Sequence, residues 1–427
     1  MKKYVLLGGA IGIGGWQLYC DARISYVTET GCKPYMIYAS SKSQSDTVSL
    51  KSFKECSIVN IQELERPPFV FCKRQIKRIV NQVMDFLNIE DGDDVCFEST
   101  NIIFALWAEL FAKEANADHI SYLLHSHIEE IPTETQKFFW HKYQQGKLGG
   151  MNDETLRMLF KNYKDIRPED ACGIAASWRS PLCESNDYDK VIDEIKACDY
   201  VIGYFGTLNK PHFLKLCDCL DNYFSGHNEH SFAFISIGSS ANGMAEKKQT
   251  DVSNSHTNCK TVNIPALYPV PKNLFRAMDV CFGSWGSATV AARVGTYTVR
   301  LMDDVNLIPQ GIIGVTLRSY PYKECDVGKE SVEELLDNIL FNKTYETVPY
   351  IYPPELEDFH TYQRTEDSVL RPFVKPGSDY YDTSSLGVGR NRDRLVKILN
   401  TVLGTSITNS MTSYIRKGNA ICKIAKK

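Results

Sequence analysis

Short, nearly continuous apolar runs alternate along this chain with longer stretches whose apolar residues recur at helical spacing. Continuous runs mark strands buried on both faces of a parallel sheet, and a 3.6-residue period marks amphipathic helices. Tyr4 to Leu7 make the first strand, Trp16 to Thr30 a helix stopped by Gly31, and Tyr35 to Ala39 the next strand. Lys73 to Leu87 carries Ile76, Ile79, Val80, Val83 and Leu87 on one helical face. Val95 to Glu98 then reads as a strand, Asn101 to Ala115 as a helix and His119 to Leu124 as a strand. The polar, aromatic stretch Glu129 to Lys164 reads as helical and Cys172 to Ala175 as a last short strand.

The pattern then restarts. Tyr200 to Tyr204, Phe232 to Ile237, Val280 to Phe282 and Thr298 to Met302 read as strands. His212 to Phe224 and Ser331 to Leu340 read as helices, and a further helix is expected between the last two strands. Such alternation predicts α/β layering with parallel sheets. The expected organisation is an N-terminal Rossmann-like domain over 1–180, a linker over 181–197, a second Rossmann-like domain over 198–345, and an extension over 346–427. Leu395, Ile398, Leu399 and Val402 give that extension a helix, expected to pack back on the first domain. Two doubly wound domains facing one another would place a ligand cleft between them.

A length of 427 residues is too great for one core, and 43% apolar with 23% charged residues is ordinary for a globular protein. A net charge of −4 gives no global attraction to nucleic acid. The fourteen cysteines are scattered without a C-x-x-C pair, so they read as buried thiols in a reducing compartment, with neither disulfides nor a zinc site. No run approaches the ~20 apolar residues of a membrane span, and the first run is too short and glycine-rich for a signal peptide, so the expected location is cytoplasmic.

The most informative stretch is YVLLGGAIGIGGWQ, Tyr4 to Gln17, where a strand runs through glycines into a helix. Glycines there permit positive φ and close approach of a ligand to the main chain, and the helix start offers free N–H groups to an anion. Neither set of glycines completes G-x-G-x-x-G, because Gln17 fills the last slot, and the second strand ends in Ser40 and Ser41 in place of an acid. A dinucleotide dehydrogenase is therefore disfavoured, and a phosphate or sugar site is the leading expectation. Lys73, Arg74, Lys77 and Arg78 form a basic helical patch beside Phe69 to Phe71, a face suited to a membrane surface or simply to water. The basic last residues, Arg416 to Lys427, read as a solvated end, with a weak contact to anionic lipid as the sharper reading.

YVLLGGAIGIGGWQLY, the extended HSHIEE, VIGYFGTLNKPHF and the segment Tyr268 to Asp304 together resemble bacterial glycosyltransferases of GT-B fold. Within that fold they are most similar to the retaining "group one" family that builds capsular, O-antigen and other surface polysaccharides. The likeness covers roughly the first 315 residues and rests on order and spacing.

The resemblance implies a transferase that moves a sugar from a nucleoside diphosphate sugar to a sugar or lipid-linked acceptor. It implies no cofactor beyond that co-substrate and no metal; a peripheral contact with the inner face of the plasma membrane is the further expectation from the basic surfaces. Gly14 and Gly15 correspond to the glycine loop facing the donor diphosphate and the acceptor, and His127 to the histidine near the reacting sugar. Lys210 corresponds to the cation on the donor phosphates, and Ser287 with Ala288 to the opening of the helix that meets them. Gly206, Thr207 and Tyr268 fall in the donor region, and His125 and Glu129 in the acceptor region.

Such a reaction expels a dianionic diphosphate, and each well-placed donor to developing charge contributes roughly 2.7–4 kcal/mol. Each of these residues also has a plainer role open to it: Lys210 as a turn lysine, Ser284, Ser287 and Thr289 as a capping set, His125 and His127 as structural hydrogen-bonders. Thr207 stands where the family has an arginine, and 283–295 lacks the family's paired glutamates. A nucleotide-sugar epimerase and a non-catalytic GT-B protein that binds a glycan or a partner enzyme are the alternatives.

Overall fold

The computed structural model describes residues 1–8, 15–39, 51–123, 131–150, 156, 159–160, 181–240, 243–302, 304–318, 328–353, 379–386 and 395–400. The chain forms two compact units. One comprises Met1–Gly12, Tyr19–Ser177 and Gln363–Lys427, the other Ile13–Leu18 and Trp178–Tyr362.

In the first unit, strands β1 (Lys2–Gly8), β2 (Lys33–Tyr38), β3 (Ser57–Asn60), β4 (Asp94–Ser99), β5 (Asp118–Leu123) and β6 (Leu148–Gly150) form one parallel sheet. Its order is β3-β2-β1-β4-β5-β6. Helices α1 (Gly15–Glu29), α2 (Lys73–Leu87), α3 (Ile102–Glu114) and α4 (Thr133–Gln144) accompany it. Strand order reverses between β1 and β4, where Leu7 stands opposite Ser99, and the Thr100 hydroxyl donates to the Leu7 carbonyl across that point at 3.0 Å. Local signals fix the helices. Ile79, Val80, Val83 and Leu87 bury the apolar face of α2, and Asn88, with φ of 43°, ends it in the left-handed conformation asparagine tolerates. Asn101 caps α3 by accepting from the Phe104 amide at 2.9 Å.

Buried polar networks lie in this unit, two of them around buried carboxylates. Arg23 and Glu98 are both inaccessible, Arg23 Nε being 2.8 Å from Glu98 Oε2. Tyr19 donates to the other carboxylate oxygen at 2.7 Å, and Tyr4 joins the same group. In the second network Ser99 Oγ lies 2.9 Å from His119 Nε2, and His119 Nδ1 lies 2.7 Å from Glu109 Oε2. Lys142 donates to the same oxygen at 3.0 Å, and the Tyr381 amide donates to Glu109 Oε1 at 3.0 Å. The chain returns to this unit near its C-terminus: Thr383 donates to the Leu106 carbonyl at 2.7 Å and Tyr380 to that of Ala117 at 2.8 Å.

The second unit repeats the topology. Strands β8 (Tyr200–Phe205), β9 (Phe232–Ile237), β10 (Cys259–Ile264), β12 (Val280–Gly283), β13 (Tyr297–Leu301) and β14 (Pro309–Ile312) lie in the order β10-β9-β8-β12-β13-β14. All pair in parallel except β13 with β14. A small parallel pair joins β7 (Leu182–Cys183) to β11 (Val270–Pro271). The stretch read as a linker, 181–197, holds β7 and helix α5 (Asp189–Lys196), whose Ile192 and Ile195 are buried in this unit's core. Helix α6 (Pro211–Gly226) connects β8 to β9, and α7 (Met244–Ser255) connects β9 to β10. Helix α8 (Lys272–Arg276) precedes β12, α9 (Trp285–Ala292) connects β12 to β13, and α10 (Val332–Leu340) starts at a capping box of Ser331 with Glu334. Phe213, Leu216, Leu220, Phe224, Phe234 and Phe282 fill the core on one face of the sheet.

No helix among the described residues is long and apolar enough to cross a membrane. Phe69, Val70 and Phe71, read as neighbours of a basic surface, are buried. They are core residues because three consecutive large apolar side chains are removed from water, and Phe71 packs on Trp107 of α3 at 5.7 Å between ring centroids.

Candidate functional site

In an open, doubly wound sheet the strand order reverses at one point, and the loops leaving the two strands there diverge to opposite faces, opening a crevice beyond their carboxyl ends. In the second unit that point lies between β8 and β12, where Phe205 stands opposite Gly283. Both loops are held by close backbone packing. Gly206 has φ of 149°, and its amide donates to the Ile237 carbonyl at 3.1 Å. A Cβ at Gly206 would lie 3.3 Å from Ser287 Oγ, and one at Gly238 would lie 1.9 Å from the Gly206 carbonyl oxygen. The ends of β8, β9 and β12 thus converge so tightly that glycine is required by the fold itself.

The loop after β8 is pinned further by Tyr204, whose hydroxyl lies 3.0 Å from His212 Nε2 and donates to the Thr207 carbonyl at 3.4 Å. The Leu208 amide reaches the Ser239 carbonyl at 3.3 Å. Lys210 follows as the half-buried N-cap of α6, extended in the way a residue before proline prefers. The loops after β9 and β10 are joined by the Ala266 amide donating to Ser239 Oγ at 3.1 Å, and the Ser240 amide donates to Glu246 Oε1 at 2.7 Å. Half-buried Tyr268 follows β10 and precedes a cis Pro269.

Helix α9 begins two residues earlier than the reading of Ser287 and Ala288 as its opening. Ser284 is its N-cap, and the amides of Ser287 and Ala288 both donate to the Ser284 carbonyl, at 3.1 and 3.4 Å. Ala288 is a core residue, buried with Ala292 and Ile313. The positions whose amides have no acceptor within the helix are Trp285 and Gly286. Trp285 has φ of 47°, an uncommon value for a bulky side chain and the kind of backbone strain that clusters at functional sites. Its ring lies under the Arg300 guanidinium, 5.7 Å from its carbon, and Arg300 also donates to Gln310 Oε1 of β14. Arg300 stands opposite Gly283 in the β12–β13 register and is 7% exposed.

Among the residues named from the sequence, the structure brings Gly206, Thr207, Lys210 and Ser287 to one edge of the second sheet. Arg293 lies at the other end of α9, roughly 12 Å along an eight-residue helix. Gly15 is the first residue of α1. Gly14, His125, His127 and Glu129 lie outside the described residues. Trp285 and Arg300 were missed. The available signal was an arginine inside the otherwise apolar strand YTVRL, directly after the β12–α9 segment.

The first unit's Ser99, His119 and Glu109 have the order of a nucleophile, a base and an orienting acid, yet all three are sealed from solvent. Burial, aided by Lys142, holds the His119 imidazole down to about 4 and therefore neutral. Burial raises Glu109, but Lys142 and His119 outweigh it and keep the carboxylate ionised well below its ordinary range. This is a core network without access for a substrate. Among the described residues no cluster of histidine, cysteine and carboxylate side chains has the makings of a metal site.

No family model matches the chain, and no curated protein matches its sequence. Solved structures do match its fold. A glycosyltransferase from Rickettsia africae aligns over 87% of this chain and 94% of its own, at 12% identity and a TM-score of 0.53. HepE of Anabaena, solved in complex with UDP and glucose, aligns over 87% of this chain and 95% of its own, at 12% identity and a TM-score of 0.51. Together with the two doubly wound sheets of identical order, these likenesses establish the fold as GT-B, two Rossmann-like domains.

Proposed function

We propose that this protein is a glycosyltransferase that uses a nucleoside diphosphate sugar as donor and a sugar or lipid-linked acceptor. The observation that carries the reading is the convergence of Gly206, Thr207, Lys210, Ser287 and the head of α9 at the switch point of the second sheet. There a cation and helix amides stand where α/β folds of this kind receive phosphate. HepE was solved with UDP and glucose, which supports a uridine nucleotide as the first donor to try. Transfer with retention, a hexosyl group, and a place in bacterial surface-polysaccharide assembly follow from the sequence resemblance and belong to the proposal.

In this reading Lys210 and the amides of Trp285 and Gly286 neutralise the departing diphosphate, so the step includes no metal. His127 lies by the reacting sugar, His125 and Glu129 bind the acceptor, and Tyr268 borders the donor. Calorimetry with uridine and guanosine diphosphate sugars, paired with a product assay, tests it. Saturable donor binding and sugar transfer are expected, and Lys210→Ala should lose at least tenfold in rate. Failure of every nucleotide sugar to bind, with or without acceptor, overturns the reading. The absence of any carboxylate between Gly283 and Gly295 favours a second reading, a GT-B protein that binds a glycan without catalysis. Donor binding without turnover would establish that alternative.

A further inference from the structure

Six large apolar side chains stand exposed among the described residues, and two of them share one helix. Leu395 is 56% and Ile398 59% exposed, three positions apart on the helix over 395–400. The opposite side of that helix is anchored. Asn400 is buried, its side-chain amide donates to the Val70 carbonyl at 3.2 Å, and its own carbonyl accepts from the Gln75 side chain at 3.1 Å. Val70 lies just before α2 and Gln75 in its first turn, and the first two turns of α2 expose Lys73, Arg74, Lys77 and Arg78. Residues more than 300 positions apart in sequence thus hold the helix that carries two exposed aliphatic side chains against the start of the helix that carries four cations. Among the described residues, Arg78 alone of the four has a carboxylate at hand, Glu63 at 2.7 Å, and Asp85 stands toward the far end of α2.

We propose that this face of the first unit, α2 with the 395–400 helix, docks on an anionic lipid surface. Its two components suit the two parts of such a surface: aliphatic side chains enter the headgroup boundary, and lysine and arginine remain at the phosphates. Neither suffices alone, since membrane anchoring by weak signals takes two acting together. A nucleic acid is a poorer fit, because single-stranded binding surfaces use aromatic platforms and the exposed apolar groups here are aliphatic. The proposal rests on residues of the first unit alone and stands independently of the reaction catalysed.

Co-sedimentation of the full chain with vesicles tests this, comparing phosphatidylcholine alone with equal parts phosphatidylcholine and phosphatidylglycerol. Binding to the anionic vesicles only, weakening as salt rises, is expected. The triple variant Lys73→Gln, Arg74→Gln, Lys77→Gln should lose about a hundredfold in partitioning, roughly fivefold for each cation removed. Leu395→Ser with Ile398→Ser should weaken it severalfold, with the thermal midpoint of both variants unchanged because every altered side chain is exposed. Binding that neither variant reduces overturns the proposal, as does indifference to anionic vesicles at low salt. Retention on a polyanion such as heparin, lost in the charge variant while vesicles are ignored, also overturns it in favour of a soluble acidic partner.

Discussion

Arg300 of β13 lies over the ring of Trp285, the first residue of α9, with 5.7 Å between guanidinium carbon and ring centroid. The pairing links the interior of the second sheet to the mouth of a helix whose first residue is held at a strained φ of 47°. Strain of that kind costs about 1–3 kcal/mol and persists only where surrounding contacts enforce it. Arg300 supplies such a contact, since it is buried and tied to Gln310 on the next strand.

Arg300→Lys keeps the charge and removes the planar guanidinium that covers the indole. Release of Trp285 should disorder the amides at the head of α9. The expected result is roughly tenfold weaker binding of uridine diphosphate, the scale of a cation–π contact partly withdrawn from water. Calorimetry on both proteins checks it, with the melting temperature as the control. Equal affinity in wild type and variant would show that Arg300 merely packs.

Gly238 gives a purely structural prediction. An alanine there would thrust its Cβ to 1.9 Å from the Gly206 carbonyl oxygen, a backbone atom that cannot move without opening the β8 loop. Gly238→Ala should therefore destabilise the protein by about 1–3 kcal/mol, the range for overpacking a tight interior. Gly243→Ala is the comparison, because nothing lies within 4 Å of its added methyl and only its φ of 69° opposes the change. Urea unfolding that ranks Gly243→Ala as the more damaging would contradict the convergence of loops described above.

How much of this was legible in the sequence depended on burial. Strands sealed on both faces show as unbroken apolar runs, so Phe232 to Ile237 was read to its ends. Half-exposed strands lack that signature: β10 reads CKTVNI with its middle partly in water, and β3 is four residues at a sheet edge. Helix α7 buries only Ala245, Gln249 and Val252, too thin a stripe to register. Gly206 and Pro211 show where β8 ends and α6 begins, because glycine and proline act locally, whereas Lys210 was named through the family resemblance. The partnership of Trp285 with Arg300 was not legible, for it depends on the β12–β13 register, which sets Arg300 opposite Gly283 and so beside the first turn of α9. Nor was the burial of Arg23, Glu98, Glu109 and Lys142, since a charged residue read alone is most often a surface residue.

The Arg23–Glu98 pair makes that last point testable. Both groups are sealed, and Glu98 also accepts from Tyr19. Replacing Glu98 with Ala strands a buried guanidinium and should cost about 3–5 kcal/mol. Replacing both residues with apolar side chains of similar volume should recover most of that loss, because the desolvation penalty disappears with the charges. Denaturant unfolding of the single and double variants decides it. A single variant within about 1 kcal/mol of wild type would mean that the pair is solvated.

Acid should weaken the first unit in two steps. His119 is held down to about 4, foremost by burial and then by Lys142, whereas an unfolded histidine titrates near 6.5. As pH falls from about 6.5 to 4 the unfolded chain takes up this proton and the folded chain does not, so stability declines over that window by about 3 kcal/mol. Glu109 acts in the same direction lower down. Its folded carboxyl is held below its ordinary value despite burial, through Lys142 and His119, so its stabilisation is present above the usual carboxylate range and lost as pH drops beneath it. The Tyr381 amide, which donates to Glu109, should be released with it, freeing the C-terminal segment at the same stage. Urea midpoints measured from pH 7 to pH 4 should fall steadily in the wild type, and His119→Asn, with nothing to titrate, should give a flatter line. Parallel profiles for the two proteins would show that His119 takes up its proton in the folded state as readily as in the unfolded one.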